Sequence, residues 1–131
     1  MNYDEINKLN AGYQNSNYEN TKIPTLDEVL KLSKGKIKVL IELKVDGHDK
    51  DIAKKTLEVI KDNNAEDDIM IQSTSYDELK KVKEINPNIK CGYIMTLALG
   101  NYKNLPDVDF FSLEMDSISS KDVKLAHKNG K

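Results

Sequence analysis

Residues 37–45, Ile-Lys-Val-Leu-Ile-Glu-Leu-Lys-Val, alternate in the way a strand requires. Val39, Ile41, Leu43 and Val45 share one face, and Leu40, Glu42 and Lys44 share the other. The apolar face calls for a covering helix, while the second face carries a carboxylate and an ammonium two residues apart. Just upstream, Thr25 stands three residues before Glu28 at the head of an apolar-periodic run, so a capping box opens a helix over about residues 26–34 that stops near Gly35. Ile52, Thr56, Val59 and Ile60 then recur at helical spacing within residues 51–63.

The alternation of element types continues to the end of the chain. Residues 69–73 read as a second strand. Ser75 caps the helix after it and Glu78 completes the box, with Leu79, Val82 and Ile85 as the buried stripe and Pro87 as the stop. Residues 89–95 form a third strand, 96–106 a loop or a short irregular helix, and 108–113 a fourth strand. Ser119 or Ser120 opens a last helix in which Val123 and Ala126 face inward, and Gly130 supplies the left-handed position at its end. Four strands separated by crossover segments imply a parallel α/β sheet with right-handed connections. The Asn-rich segment 7–21 predicts a polar surface loop with little core to contribute.

Composition narrows the function classes. With 20 basic and 22 acidic residues the formal net charge is −2, and no basic stripe is interleaved with aromatics, so nucleic acid is not an expected partner. The single Cys91 rules out an internal disulfide, and its place in a strand-like run predicts a buried thiol. There is no apolar run long enough to span a bilayer and no signal-peptide pattern. The chain as given is therefore expected to be soluble, and a parent protein in the cytoplasm or at a membrane is equally compatible with it.

Ile23-Pro24-Thr25-Leu26-Asp27-Glu28-Val29-Leu30, followed shortly by the strand ending Ile41-Glu42-Leu43-Lys44, resembles the glycerophosphodiester phosphodiesterase family. The resemblance continues in Asp68-Ile69-Met70-Ile71-Gln72-Ser73, in Asn86-Pro87-Asn88-Ile89-Lys90-Cys91-Gly92-Tyr93, in Asp109-Phe110-Phe111-Ser112-Leu113-Glu114 and in Ala126-His127-Lys128-Asn129-Gly130-Lys131. It implies a (β/α)8 barrel, and such barrels have about 250 residues. At 131 residues the chain would then hold about four consecutive strand–helix units from the middle of a TIM barrel. Residues 1–21 would be the polar lead and residues 22–131 the βα units of a partial domain.

The resemblance also assigns chemistry. Members of the family cleave glycerophosphodiesters to glycerol 3-phosphate and an alcohol. They use a His-Arg-Gly strand, a Pro-Glu-Asn-Thr motif, a Glu-x-Asp strand and a later His-Asp pair, with two histidines as general acid and base and acidic residues on a divalent cation, Ca or Mg. Of this set the chain matches only the Ile-Glu-x-Lys strand. Glu42 corresponds to a metal-ligand carboxylate and Lys44 to the lysine that offsets phosphate charge. No catalytic residue is expected in this chain.

Three look-alikes receive structural readings. Tyr18-Glu19-Asn20-Thr21 mimics Pro-Glu-Asn-Thr but lies in the slot of a variable loop. His48-Asp49 follows the Glu-Lys strand where the family's pair precedes it, which predicts a polar loop with Asp49 or Asp51 near a helix N-terminus. His127 falls inside the last helix, where packing or a C-terminal dipole contact suits it. Parity also places Gln72 near the barrel mouth, for a structural hydrogen bond or a substrate contact, and Glu114 beside Ser112, as a further mouth residue or a solvated strand end. Without support from a second feature, Glu42 and Lys44 are equally an edge strand in water. A non-catalytic binding or assembly module on the same fold is the alternative function. In either case two open barrel edges predict self-association, with Leu40, Met70 and Ile94 shielded.

Overall fold

The computed structural model describes residues 1–47, 49–95 and 105–131. Among them four strands form one sheet: β1 (Val39–Glu42), β2 (Ile69–Ser73), β3 (Lys90–Met95) and β4 (Phe110–Leu113). All neighbours are parallel and the spatial order follows the sequence, β1-β2-β3-β4. The helices are α1 (Tyr3–Ile6), α2 (Leu26–Ser33), α3 (Ile52–Asp62), α4 (Tyr76–Ile85) and α5 (Ser120–Lys128). The sheet is thus the parallel α/β arrangement that the alternation of periods two and 3.6 predicts.

The strands' outer parity makes the core. Ile69, Ile71 and Ser73 of β2 are buried, as are Cys91 of β3 and Leu43 just beyond β1. Leu57 and Ile60 of α3, Leu79 and Val82 of α4 and Leu30 of α2 close over them. Each fully buried Leu, Ile or Val in this layer contributes about 1.5–3 kcal/mol. The opposite face has no such cover: Leu40 is 46% exposed, while Met70, Gln72 and Ile94 are only half-buried.

Helix starts follow the sequence. Thr25 Oγ1 accepts from the Glu28 amide at 3.2 Å and Glu28 Oε2 accepts from the Thr25 amide at 2.8 Å, the complete box ahead of α2. A second box, Ser119 with Asp122, opens α5. Helices α2 and α3 are joined by Lys34, whose Nζ donates to the Asn63 carbonyl at 2.7 Å, and by buried Asn63, whose Nδ2 donates to Asp27 at 3.0 Å. Gly35 and Gly130 both take positive φ, 70° and 71°, in the turns that end α2 and α5.

Several expectations need correction. The first strand is four residues long rather than nine: β2 begins opposite Val39, so residues 37 and 38 have no strand beside them, and the paired residues end at Glu42, where β2 turns toward α4. Ser75 does cap α4, but Glu78 does not reach back to it. Its carboxylate is buried and holds Lys81 at 2.6 Å, one turn further on. Ile85 is 53% exposed, since it ends α4 beyond the reach of the sheet. Val123 is 37% exposed, because α5 has a neighbour on one side only. The loop expected at 96–106 lies mostly outside the described residues.

Candidate functional site

The Glu-Lys strand end is positioned from the core side. Leu43 is 1% exposed, and its amide donates to the Gln72 carbonyl at 2.8 Å. With Leu43 turned into the core, its two neighbours Glu42 and Lys44 must leave on the opposite face. Both are exposed, and neither side chain makes a hydrogen bond or ion pair with a described residue. The alternation read from sequence holds from Val39 to Leu43 and fails at Val45, which is 43% exposed because the chain has left the sheet there.

Register extends the site across the sheet. Glu42 pairs with Gln72, Gln72 with Gly92 and Gly92 with Phe110, giving one row of residues on the open face. The Phe110 ring lies over Gly92 so closely that a methyl there would overlap Cε2 and Cζ. Glycine at this point is a requirement of close approach, not of backbone freedom. Gln72 Oε1 is buried and has no hydrogen-bond partner among the described residues. Glu114 lies one residue past β4, exposed, at the far edge of the sheet. Three strand spacings separate it from the Glu42 strand, about 14 Å in a flat sheet. Register places Glu42 beside Gln72, Lys44 follows two residues beyond the end of β1, and Glu114 lies at the far edge of the sheet.

The other polar clusters support the frame. Asp109 Oδ2 accepts from the Cys91 amide and from Lys83 Nζ, each at 2.7 Å, while the Asp109 amide donates to the Cys91 carbonyl at 2.7 Å. Burial pushes the Asp109 carboxyl up, but Lys83 and the Cys91 amide outweigh it and hold the group below the usual carboxylate range. Cys91 is fully buried, and loss of hydration raises its thiol to about 11, which makes it a packing group. Tyr76 donates to Asp107 at 2.7 Å and meets the Tyr93 ring edge-on at 6.2 Å. Burial first, and then Asp107, raise the Tyr76 phenol.

Of the two histidines, only His127 is among the described residues. His48 falls outside the described residues, and its neighbour Asp49 accepts from the Asp51 amide at 3.0 Å and pairs with Lys55 at 3.1 Å. Asp51 precedes α3 without capping it through its side chain. His127 is exposed in the last turn of α5. The Tyr18–Thr21 look-alike is an exposed turn, in which the Thr21 hydroxyl donates to the Tyr18 carbonyl at 2.6 Å.

A divalent cation does not fit these residues alone. No group of three or more His, Cys, Asp or Glu side chains able to hold a metal occurs among the described residues. Glu42 and the amide oxygen of Gln72 offer two kinds of donor, where a hard cation takes about six oxygens. No helix among the described residues is long and apolar enough to cross a membrane. Sequence reasoning missed Ser73 and Phe110, although Gly92 inside a strand already signalled a close approach.

Comparisons with known proteins bear on this arrangement. A glycerophosphodiester phosphodiesterase from Agrobacterium tumefaciens str. C58 superposes with a TM-score of 0.74 at 20% identity, over 99% of this chain and 56% of that one. A candidate glycerophosphodiester phosphodiesterase from Galdieria sulphuraria gives 0.79 at 16% identity, over 99% and 54%. A glycerophosphodiester phosphodiesterase from Parabacteroides distasonis ATCC 8503 gives 0.61 at 19%, over 100% and 73%. At these identities the likeness speaks to the fold, a portion of a (β/α) barrel, and the chain spans about half the length of the first two. No curated protein sequence gives a match. The sequence pattern of one family covers residues 1–129, and on that match the chain belongs to the glycerophosphoryl diester phosphodiesterase family.

Proposed function

We propose that this chain is part of a phosphodiester hydrolase that cleaves glycerophosphodiesters to glycerol 3-phosphate and an alcohol. The observation that carries this reading is the Glu42–Lys44 pair. Among the described residues it is unpartnered and exposed, at and just beyond the C-terminal end of β1, where active sites of this barrel are built. In this reading Lys44 offsets phosphate charge, and Glu42 is one carboxylate of a divalent-cation site, for Ca or Mg, whose other donors lie outside the cluster described. Residues 1–21 form a lead and residues 22–131 the βα units of a larger barrel domain. Residues 1–131 alone have no turnover in this reading, because no histidine in the sequence falls where the family's acid and base motifs place one, and general acid–base help is worth roughly 10²- to 10⁴-fold.

The test uses the full-length protein. Glu42→Gln is expected to weaken metal binding and activity together, whereas Lys44→Met depresses activity with metal affinity kept. Identical metal titrations for wild type and Glu42→Gln would remove Glu42 from the cation site. Turnover by residues 1–131 alone, abolished by Glu42→Ala, would overturn the claim that the piece is inactive.

A second reading, a non-catalytic binding or assembly module, is supported by apolar grooves along both sheet edges. One is lined by Val29, Leu32, Ile37 and Leu40, the other by Phe111, Leu113, Ile118 and Ala126. Full-length protein without any phosphodiesterase activity would favour it.

A further inference from the structure

Ser73 is 0% exposed, in company that is otherwise apolar: the other nine of the largest fully buried side chains are Leu, Ile, Val and Cys. A hydroxyl persists in such a place only when its hydrogen-bonding capacity is met. Here both directions are used. The Ser73 hydroxyl donates to the Leu43 carbonyl at 2.7 Å and accepts from the Ser75 amide at 3.0 Å.

The position of that bond matters more than its existence. The paired strand residues of β1 and β2 end at Glu42 and Gln72. One step further the Leu43 amide still reaches the Gln72 carbonyl. To continue, a parallel ladder would bring the amide of residue 74 to the Leu43 carbonyl. The chain, however, turns there into α4, which starts at Tyr76. The Ser73 side chain takes over the donor role, so Leu43 is held at its amide by backbone and at its carbonyl by a hydroxyl. Leu43 is the residue between Glu42 and Lys44, and its carbonyl belongs to the peptide that leads into Lys44. Fixing that peptide plane fixes where the amide nitrogen and Cα of Lys44 sit, the base from which its side chain departs.

We infer that Ser73 is a positioning residue of the Glu42–Lys44 site, acting from the far side of the sheet through the Leu43 carbonyl. The inference rests on the phosphodiesterase reading. Its substrate-side consequence is orientation of the ammonium against a phosphodiester, a geometric effect in which small displacements lower the rate more than they lower binding.

The experiment compares Ser73→Ala, Ser73→Thr and Ile71→Val in the full-length protein, with glycerophosphocholine as substrate. Ile71 lies on the same face of the same strand and is equally buried, but donates nothing to β1, so it serves as the stability-matched control. Ser73→Ala is expected to lower kcat about ten-fold with KM changed less than about two-fold, and to speed exchange of the Leu43 amide, which donates to the Gln72 carbonyl. Ile71→Val should leave both near wild type once compared at the same interval below its melting temperature, and Ser73→Thr, which keeps the hydroxyl, should restore most of kcat. Equal kcat for Ser73→Ala and Ile71→Val, or unchanged exchange of the Leu43 amide, overturns the positioning role. Absence of turnover in the wild type instead rejects the phosphodiesterase reading itself, so the two failures are distinguishable.

Discussion

Replacing Asp109 tests whether β4 is held to β3 by a side chain. The Asp109 carboxylate accepts from the amide of buried Cys91 and from Lys83, whose side chain is 16% exposed. Alanine leaves the Cys91 amide unsatisfied in a buried strand, which costs about 1–3 kcal/mol. It also removes the ion pair, which is partly solvent-screened with Asp109 38% exposed and so contributes about 0.5–1 kcal/mol. Asn keeps an acceptor for Cys91 and loses the charge alone. Asp109→Ala should therefore destabilise by about 2–3 kcal/mol and Asp109→Asn by about 0.5–1 kcal/mol. At about 3–4 °C per kcal/mol for a chain of this size, the melts should fall by roughly 8 °C and 3 °C. The pH dependence has a definite sign. Since the folded carboxyl lies below its unfolded value, its contribution is complete above the unfolded pKa, about 3.9, and is lost as pH falls through the folded value. The gap between wild type and Asp109→Asn should accordingly be constant from pH 6 to 8 and close below about pH 4. Thermal melts by circular dichroism across that range decide it. Equal melting of Asp109→Ala and Asp109→Asn would show that the Cys91 amide does not depend on the carboxylate, and the reasoning would fall.

Three further outcomes are expected. Gly92→Ala must push the Phe110 ring off its seat, an overpacking cost of about 1–3 kcal/mol that Phe110→Leu should relieve in the double variant; urea midpoints check it, and additive losses would refute the contact. Cys91, with its thiol near 11, should resist a thiol reagent at pH 8 in the native protein and label fully in denaturant; fast native labelling would mean that β3 opens. Residues 1–131 alone should self-associate along the open edges, shielding Leu40, Met70 and Ile94. A monomeric mass by light scattering at every dilution, together with a cooperative melt, would show that the four-stranded unit is self-sufficient.

What the sequence made legible is what local periodicity controls. The parity of Leu40, Glu42 and Lys44 against Leu43 survives in the structure, because period two is a property of the strand itself and the apolar set can face only the helices. Strand length was not legible, since Ile37 and Lys38 are as strand-like as Val39 and lose that state only because β2 starts opposite Val39. Glu78 has the spacing of a capping box but also stands three residues before Lys81, and the buried pairing with Lys81 prevails. At the candidate site, Glu42 and Lys44 could be chosen from alternation and resemblance. Ser73 could not, because its partner is the carbonyl of a residue 30 positions earlier, and no local pattern records such a bond.

The free edge of β1 has a thermodynamic consequence for the residues it carries. Glu42 ends a strand that, among the described residues, is bonded on one side only, to β2, and Lys44 follows it by two residues. Any element that pairs with the other side restricts the fraying of this segment and pre-orders both side chains. By the same linkage, an anion gathered by Lys44 favours whatever pairs with that edge, by the same factor. Closure of the sheet and occupancy of the site are thus two arms of one cycle, and their coupling can be read as the change in anion affinity when the neighbouring element is bound.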